Sequence, residues 1–139
     1  IIGNNCVIVN GVQIAGHVNV NDYSIIGGGT LVHQFVKIGE HSMIAGGSLI
    51  RKDVPPFCKA GKEPLSYRGV NSIGLKRRDF SSDQINLIQN IYRILYLEGR
   101  NNSQAIEKIE KDIPKSNEKN TVLNFIKNSE RGIIKGLLD

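Results

Sequence analysis

Histidine is scarce in this chain: His17, His33 and His41 are its full complement. Imidazole is the side chain best suited to carry protons near neutral pH, so the spacing of these three matters. Gly16 precedes His17, Gln34 follows His33, and Arg51 lies eighteen residues beyond His33. A second group with chemical potential is Gly74-Leu75-Lys76-Arg77-Arg78. Adjacent guanidinium forks match phosphate oxygens in pairs, although a solvated basic loop is an equally ordinary reading. Metal binding is disfavoured, because His17 and His33 lack a third ligand at suitable spacing and Cys6 and Cys58 have no zinc-like partners. No Gly-x-Ser-x-Gly elbow occurs, and no helix pattern follows Gly27-Gly28-Gly29, so those glycines read as tight corners.

The elements that must position these groups follow a six-residue period. Ile2, Ile8, Ile14, Val20, Ile26, Val32, Ile38, Ile44 and Ile50 begin nine successive blocks. The fifth residues, from Cys6 and Val12 through Ser48 and Val54, are all small or β-branched. Such a period fits neither an amphipathic helix nor an alternating strand, but it fits a solenoid with one block per side of a triangular coil. Three turns would stand about 14 Å tall at ~4.8 Å per coil. The aliphatic first residue points inward, and Cys6 fills a small core position. Eighteen residues make a turn, so the blocks starting at Ile14, Val32 and Ile50 share a face. His17 and His33 then lie on that face one coil apart and two residues offset, about 8 Å between Cα atoms. With Gln34 and Arg51 they form either a polar substrate groove or a set of unrelated surface residues. His41 falls on a different face and reads as a surface residue.

The 139 residues divide into three parts: a β-helix over 1–56, a connector over 57–80 and a helical domain over 81–139. Pro55-Pro56 ends the coils, because proline cannot donate to a ladder. The connector is expected to be loops with short turns. A helix should follow the capping box of Ser81 and Gln84 and stop near Gly99. A second should start after Ser103 and be ended by Pro114, and a third follows Ser116, continuing or restarting toward Ile134. Packed on an open end of the coil, these helices would bury their apolar faces and cover strand edges. A net charge of +5 calls for an anionic partner, but no stacking aromatic or RNA-binding motif accompanies it, so nucleic acid is not expected. No apolar run is long enough for a membrane span. Two lone thiols and the lack of a visible signal peptide suit the reducing cytoplasm. The chain opens in mid-repeat without a polar cap, as the C-terminal part of a longer protein would.

Taken together, Ile14-Ala-Gly-His17, Ile26-Gly-Gly, Val32-His-Gln-Phe35, Asp53-Val-Pro-Pro56 and Asn71-Ser-Ile-Gly-Leu-Lys-Arg-Arg78 resemble the bacterial UDP-N-acetylglucosamine acyltransferases of lipid A synthesis. The hexapeptides alone would indicate only a wide acyltransferase superfamily. The resemblance implies a left-handed parallel β-helix followed by a small helical domain, an exception to the usual right-handed crossover. It implies a homotrimer with sites between subunits, and transfer of a 3-hydroxyacyl chain from acyl carrier protein to the sugar 3-hydroxyl. No cofactor is bound, since the acyl group arrives on the carrier's phosphopantetheine. The family's general base belongs to a His-Asp pair just ahead of the segment matching Ile1, one coil below His17. Gly16 matches an oxyanion donor, His17 an assisting histidine, and His33 and Gln34 substrate contacts. Asn71, Arg77 and Arg78 match nucleotide-sugar contacts, and Gly46 matches the position limiting acyl length, where glycine implies about fourteen carbons or more. Ile73 stands where the family often has Glu, which weakens one uridine-side contact. Lys108, Lys111 and Lys115 could face the acidic carrier protein. Alternatives are another hexapeptide acyltransferase and a non-catalytic β-helix scaffold.

Overall fold

A two-residue strand followed by a four-residue corner accounts for the six-residue period. In the computed structural model, which describes residues 1–136, the strands β1 (Val7–Ile8), β2 (Gln13–Ile14), β3 (Asn19–Val20), β4 (Ile25–Ile26), β5 (Leu31–Val32), β6 (Lys37–Ile38), β7 (Met43–Ile44) and β8 (Leu49–Ile50) follow in order. Each pairs in parallel with the strand eighteen residues away, so Ile8, Ile26 and Ile44 form one interior column and Ile14, Val32 and Ile50 another. Three faces result: β1-β4-β7, β2-β5-β8 and β3-β6. The first-position side chains from Val20 to Ile50 are buried. Ile2 and Ile8 occupy the same columns but remain 52% and 37% exposed, because no coil among the described residues lies beneath them.

Corners set the geometry around the histidines. The fourth residue of eight successive blocks, from Asn5 through His17, Tyr23, Phe35 and His41 to Gly47, has φ between 57° and 77°. This left-handed conformation costs a residue bearing Cβ on the order of 1 kcal/mol. One corner avoids the cost with Gly11, Gly29 and Gly47. The other two stack rings, His17 on Phe35 at 4.9 Å between centroids and Tyr23 on His41 at 4.8 Å. Such pairs contribute about 0.5–1.5 kcal/mol each, which offsets part of the strain of the two residues in each pair. Small fifth residues serve the corners too: the buried Ser24 and Ser42 hydroxyls both donate to the Gly39 carbonyl. Cys6 is half-buried rather than sealed in the core, and its thiol donates to the Asn21 carbonyl at 3.2 Å.

Beyond the prolines the structure departs from the expected loops. Strand β9 (Cys58–Gly61) adds in parallel to β7, extending the first face by one strand, and β10 (Ser66–Val70) returns antiparallel to it. Helix α1 (Ser72–Arg77) follows directly. Helix α2 (Ser82–Tyr96) begins at the Ser81–Gln84 capping box, as the sequence predicts. Helix α3 (Asn102–Asp112) starts two residues earlier than expected, because Asn101 and Gln104 form a second capping box. Helix α4 (Asn117–Lys127) is capped by Ser116 and ends at Lys127. The stretch expected to continue as helix is extended instead: Ile133 pairs with Asp53 and Lys135 with Ser66. Buried Asp53 organises this closure, accepting from the Lys37 amide and the Ser129 hydroxyl. Helix α2 seats on the last coil through Tyr92, whose hydroxyl donates to the Pro56 carbonyl and whose ring stacks on Tyr67.

Candidate active site

The first cluster is a wall on the β2-β5-β8 face. Because Ile14 pairs with Val32, Gly16 stands beside Gln34 and His17 beside Phe35, so His17 and His33 lie one coil apart with the expected two-residue offset. The Phe35 amide donates to the Gly16 carbonyl at 3.1 Å, which fixes the corner. No described residue accepts from the Gly16 amide, and the space beside its Cα is open. His33 and Gln34 edge a shallow groove of about 470 Å³ floored by Ile14, Ala15, Leu31 and Leu49. Arg51 stacks in the His33 column but does not line this groove. Its guanidinium lies 3.2 Å from Glu63, with both side chains exposed, and His17 stacks on Phe35, so of the four residues expected to converge only His33 and Gln34 line the groove. Arg131 takes a structural place instead, donating to the backbone carbonyls of Gln34 and Arg51.

The second cluster is a pocket of about 190 Å³ on the β1-β4-β7-β9 face. Ile25, Met43 and Lys59 come from the sheet, and Asn71, Ile73, Arg77 and Arg78 from α1 and its ends. Asn71 is buried, and its side-chain amide donates to the His41 carbonyl at 3.0 Å. Gly74 permits this: a Cβ there would meet the Asn71 amide at 2.6 Å, closer than packed atoms approach. Arg77 is exposed. Arg78 is held by the His41 ring, Nη1 to Nδ1 at 3.2 Å, and its guanidinium carbon lies 5.4 Å from the Tyr23 ring centroid. That distance is within cation–π range.

His41 is therefore no surface residue. It is 6% exposed, stacked between Tyr23 and Phe57, with Phe80 edge-on at 5.1 Å. Burial, reinforced by the Arg78 charge and opposed by Asp22, lowers its pKa to about 4, so the ring is neutral at physiological pH. A guanidinium can only donate, so Nδ1 carries the lone pair and Nε2 the proton. Neighbouring Glu40 is pushed the other way, its pKa raised by burial and then by the charges of Asp22 and Glu118.

In one copy of the chain, the histidine wall and the arginine pocket open on different faces, with the glycine corner between them. Residues 53–134 match the family model described as "Udp N-acetylglucosamine O-acyltransferase; Domain 2". The chain belongs to the UDP-N-acetylglucosamine O-acyltransferase family. An acyl-[acyl-carrier-protein]–UDP-N-acetylglucosamine O-acyltransferase from Thiobacillus denitrificans is 39% identical over 135 residues, covering 97% of this chain and 52% of its own. One from Stenotrophomonas maltophilia is 40% identical, with 96% and 51% covered. A UDP-N-acetylglucosamine acyltransferase structure from Bacteroides fragilis superposes with a TM-score of 0.95 at 46% identity, covering 96% of this chain and 52% of that one. The chain thus spans about half the length of the curated relatives it matches. Its fold is the left-handed parallel β-helix with a helical C-terminal part.

Against this acyltransferase frame, two residues escape a reading by motif. Lys59 joins Arg77 and Arg78 in one pocket only because β9 continues the first face. His41 carried a usable signal: it is the fourth residue of its block, eighteen beyond Tyr23, so ring stacking at that corner was implied by the period. Its arginine partner was not, being 37 residues away on another element.

Proposed function

We propose that the intact polypeptide transfers a 3-hydroxyacyl chain from acyl carrier protein to the 3-hydroxyl of UDP-N-acetylglucosamine, the first step of lipid A synthesis. The observation that carries this reading is the cationic pocket of Lys59, Arg77 and Arg78 beside Asn71, in a chain of this family. Guanidinium forks suit the diphosphate, and a partly buried arginine loses less to solvent than an exposed one. His33 and Gln34 contact the sugar and acyl groups from the wall. The base is a histidine of the His-Asp pair carried by the family ahead of the segment matching Ile1. It takes the proton from the sugar 3-hydroxyl as that oxygen attacks the thioester carbonyl. Negative charge builds on the carbonyl oxygen, where the Gly16 N–H can donate without giving up another acceptor among the described residues. His17, fixed by its stack on Phe35, assists at the same corner. Collapse of the tetrahedral centre expels the pantetheine thiol. The acyl group arrives already activated as a thioester, so the reaction needs no bound cofactor.

Gly46 lies on the glycine corner between wall and pocket and projects no side chain into it. We assign it the acyl-length role, with chains of about fourteen carbons or more admitted. Ile73, exposed at the pocket rim, supplies no polar contact to the uridine side. A homotrimer accounts for the face polarity. Outward residues are Val7, Ile25 and Met43, followed by Lys59, on the first face and Gln13, Leu31 and Leu49 on the second, against Asn19 and Lys37 on the third. A cyclic assembly packing the first face of one copy on the second face of the next would cover the apolar pair and join an arginine pocket to a histidine wall. For the acidic carrier protein, Lys111 and Lys115 remain the better candidates, because Lys108 already binds Asp112 at 2.5 Å. No helix among the described residues is long and apolar enough to cross a membrane. Two free thiols suit a cytoplasmic setting.

Incubating the intact polypeptide with UDP-N-acetylglucosamine and 3-hydroxyacyl carrier protein should yield an O-acylated sugar nucleotide. Absence of that product would reject the reading. The 139-residue chain alone should not turn over, and substantial turnover would mean the base has been misplaced.

A further inference from the structure

A guanidinium at the end of a flexible stem is a useful ligand group only if something fixes it before the ligand arrives. We propose that His41 is a positioning residue for the nucleotide-sugar site: its Nδ1 holds the Arg78 guanidinium, and its carbonyl holds the Asn71 amide. This rests on the reading of the arginine pocket given above and adds a residue that makes no substrate contact of its own.

The geometry is specific at each point. Tyr23 below, Phe57 above and Phe80 at the edge fix the plane of the His41 ring, and the Arg78 contact selects the orientation with Nδ1 toward the guanidinium. Nδ1 meets Arg78 Nη1 at 3.2 Å, and the protonated Nε2 lies 3.8 Å from Glu40 Oε2. Arg78 thus commits one donor to the protein, and its remaining donors stay available to a ligand. The same residue's carbonyl accepts from Asn71 Nδ2 at 3.0 Å, so one corner sets two of the proposed contacts. Burial serves this role, since a protonated ring would lose the acceptor and repel the arginine.

Two substitutions separate positioning from packing. His41→Phe keeps a ring in the ladder, and Phe35 shows that phenylalanine holds the same corner position at φ 66°. It removes the acceptor. His41→Asn loses the ring but keeps an acceptor near the Nδ1 position, and Asn5 holds the equivalent corner at φ 57°. In the intact polypeptide, His41→Phe should raise KM for UDP-N-acetylglucosamine about tenfold. Its kcat should stay within about twofold and its melting temperature near the parent's. His41→Asn should melt lower yet keep KM within about threefold. In an Arg78→Ala background, His41→Phe should add almost nothing, because the two act as one unit. A KM that follows melting temperature, with Asn worse than Phe, would reduce His41 to a packing role and overturn the proposal. If Arg78→Ala raises KM while His41→Phe does not, the positioning role alone fails. If Arg78→Ala leaves KM unchanged, the nucleotide-sugar reading fails and takes this proposal with it.

Discussion

The histidine wall and the arginine pocket are built in opposite ways. The wall hangs on the repeat: each residue's place follows from counting in eighteens, and its side chains are exposed with few fixed partners. The pocket sits where the repeat gives way to β9, β10 and α1, and its groups are held by long-range contacts with Asn71 and His41 buried. Solenoid register is therefore a cheap way to align groups, whereas a preorganised cation needs a buried support brought from elsewhere in the chain. The two regions should respond differently to perturbation.

The largest expected effect is on the pocket. Arg77→Ala combined with Arg78→Ala should weaken UDP-N-acetylglucosamine binding by about a hundredfold or more, as two charge-assisted contacts are lost. Titration calorimetry on the intact polypeptide measures this, and unchanged affinity would remove both residues from the site. Ile50→Ala acts on the wall's support instead. Ile50 is fully buried and stacks on Val32, immediately behind His33. Its loss should cost roughly 3 kcal/mol in chemical denaturation while weakening nucleotide-sugar affinity of the folded protein far less than the double arginine change does. A matching loss of affinity would show that pocket and wall are not independent.

The difference between the regions also governs what the sequence discloses. The interior columns, the His17–His33 offset and the helix starts at Ser81 and Ser116 are local or periodic, so they could be read directly. The β9–β10 hairpin could not, because its strands carry Gly61 and Gly69 and lack clean alternation. The tail around Ile133 is extended where a helix is expected, because its bonds go to Asp53, eighty residues earlier, not to its neighbours. The backbone column of Arg51 says nothing of Glu63, which claims its side chain. The burial of His41 against Phe80 and against Arg78 at the end of α1 is likewise a tertiary fact that its place in the repeat does not carry.

A smaller effect should appear on acidification. His41 has a folded pKa of about 4 against an ordinary 6.5, so between those values the unfolded chain binds more protons than the native one. Stability present above pH 6.5 should fall as pH drops toward 4. Glu40 works in the opposite sense, its raised pKa favouring the native state as it protonates, with Asp22 and Arg78 the other charges nearby. Comparing the parent with His41→Phe across this range isolates the histidine. Equal slopes would mean that the ring is not held neutral by its surroundings. The smallest effect is expected far from both regions: Lys108→Ala breaks an exposed pair with Asp112 and should move stability by less than about 0.5 kcal/mol.

On the proposed function, a complete site takes its wall from one copy and its pocket from the next. This sharing is tested by mixing two inactive variants of the intact polypeptide, one carrying His33→Ala with Gln34→Ala and the other Arg77→Ala with Arg78→Ala. Random reassembly as a cyclic trimer should restore about a quarter of parental activity, since half the walls and half the pockets are intact and pair independently. No recovery from mixed assemblies, with each variant verified to fold and exchange copies, would contradict the account and place the whole site within a single chain.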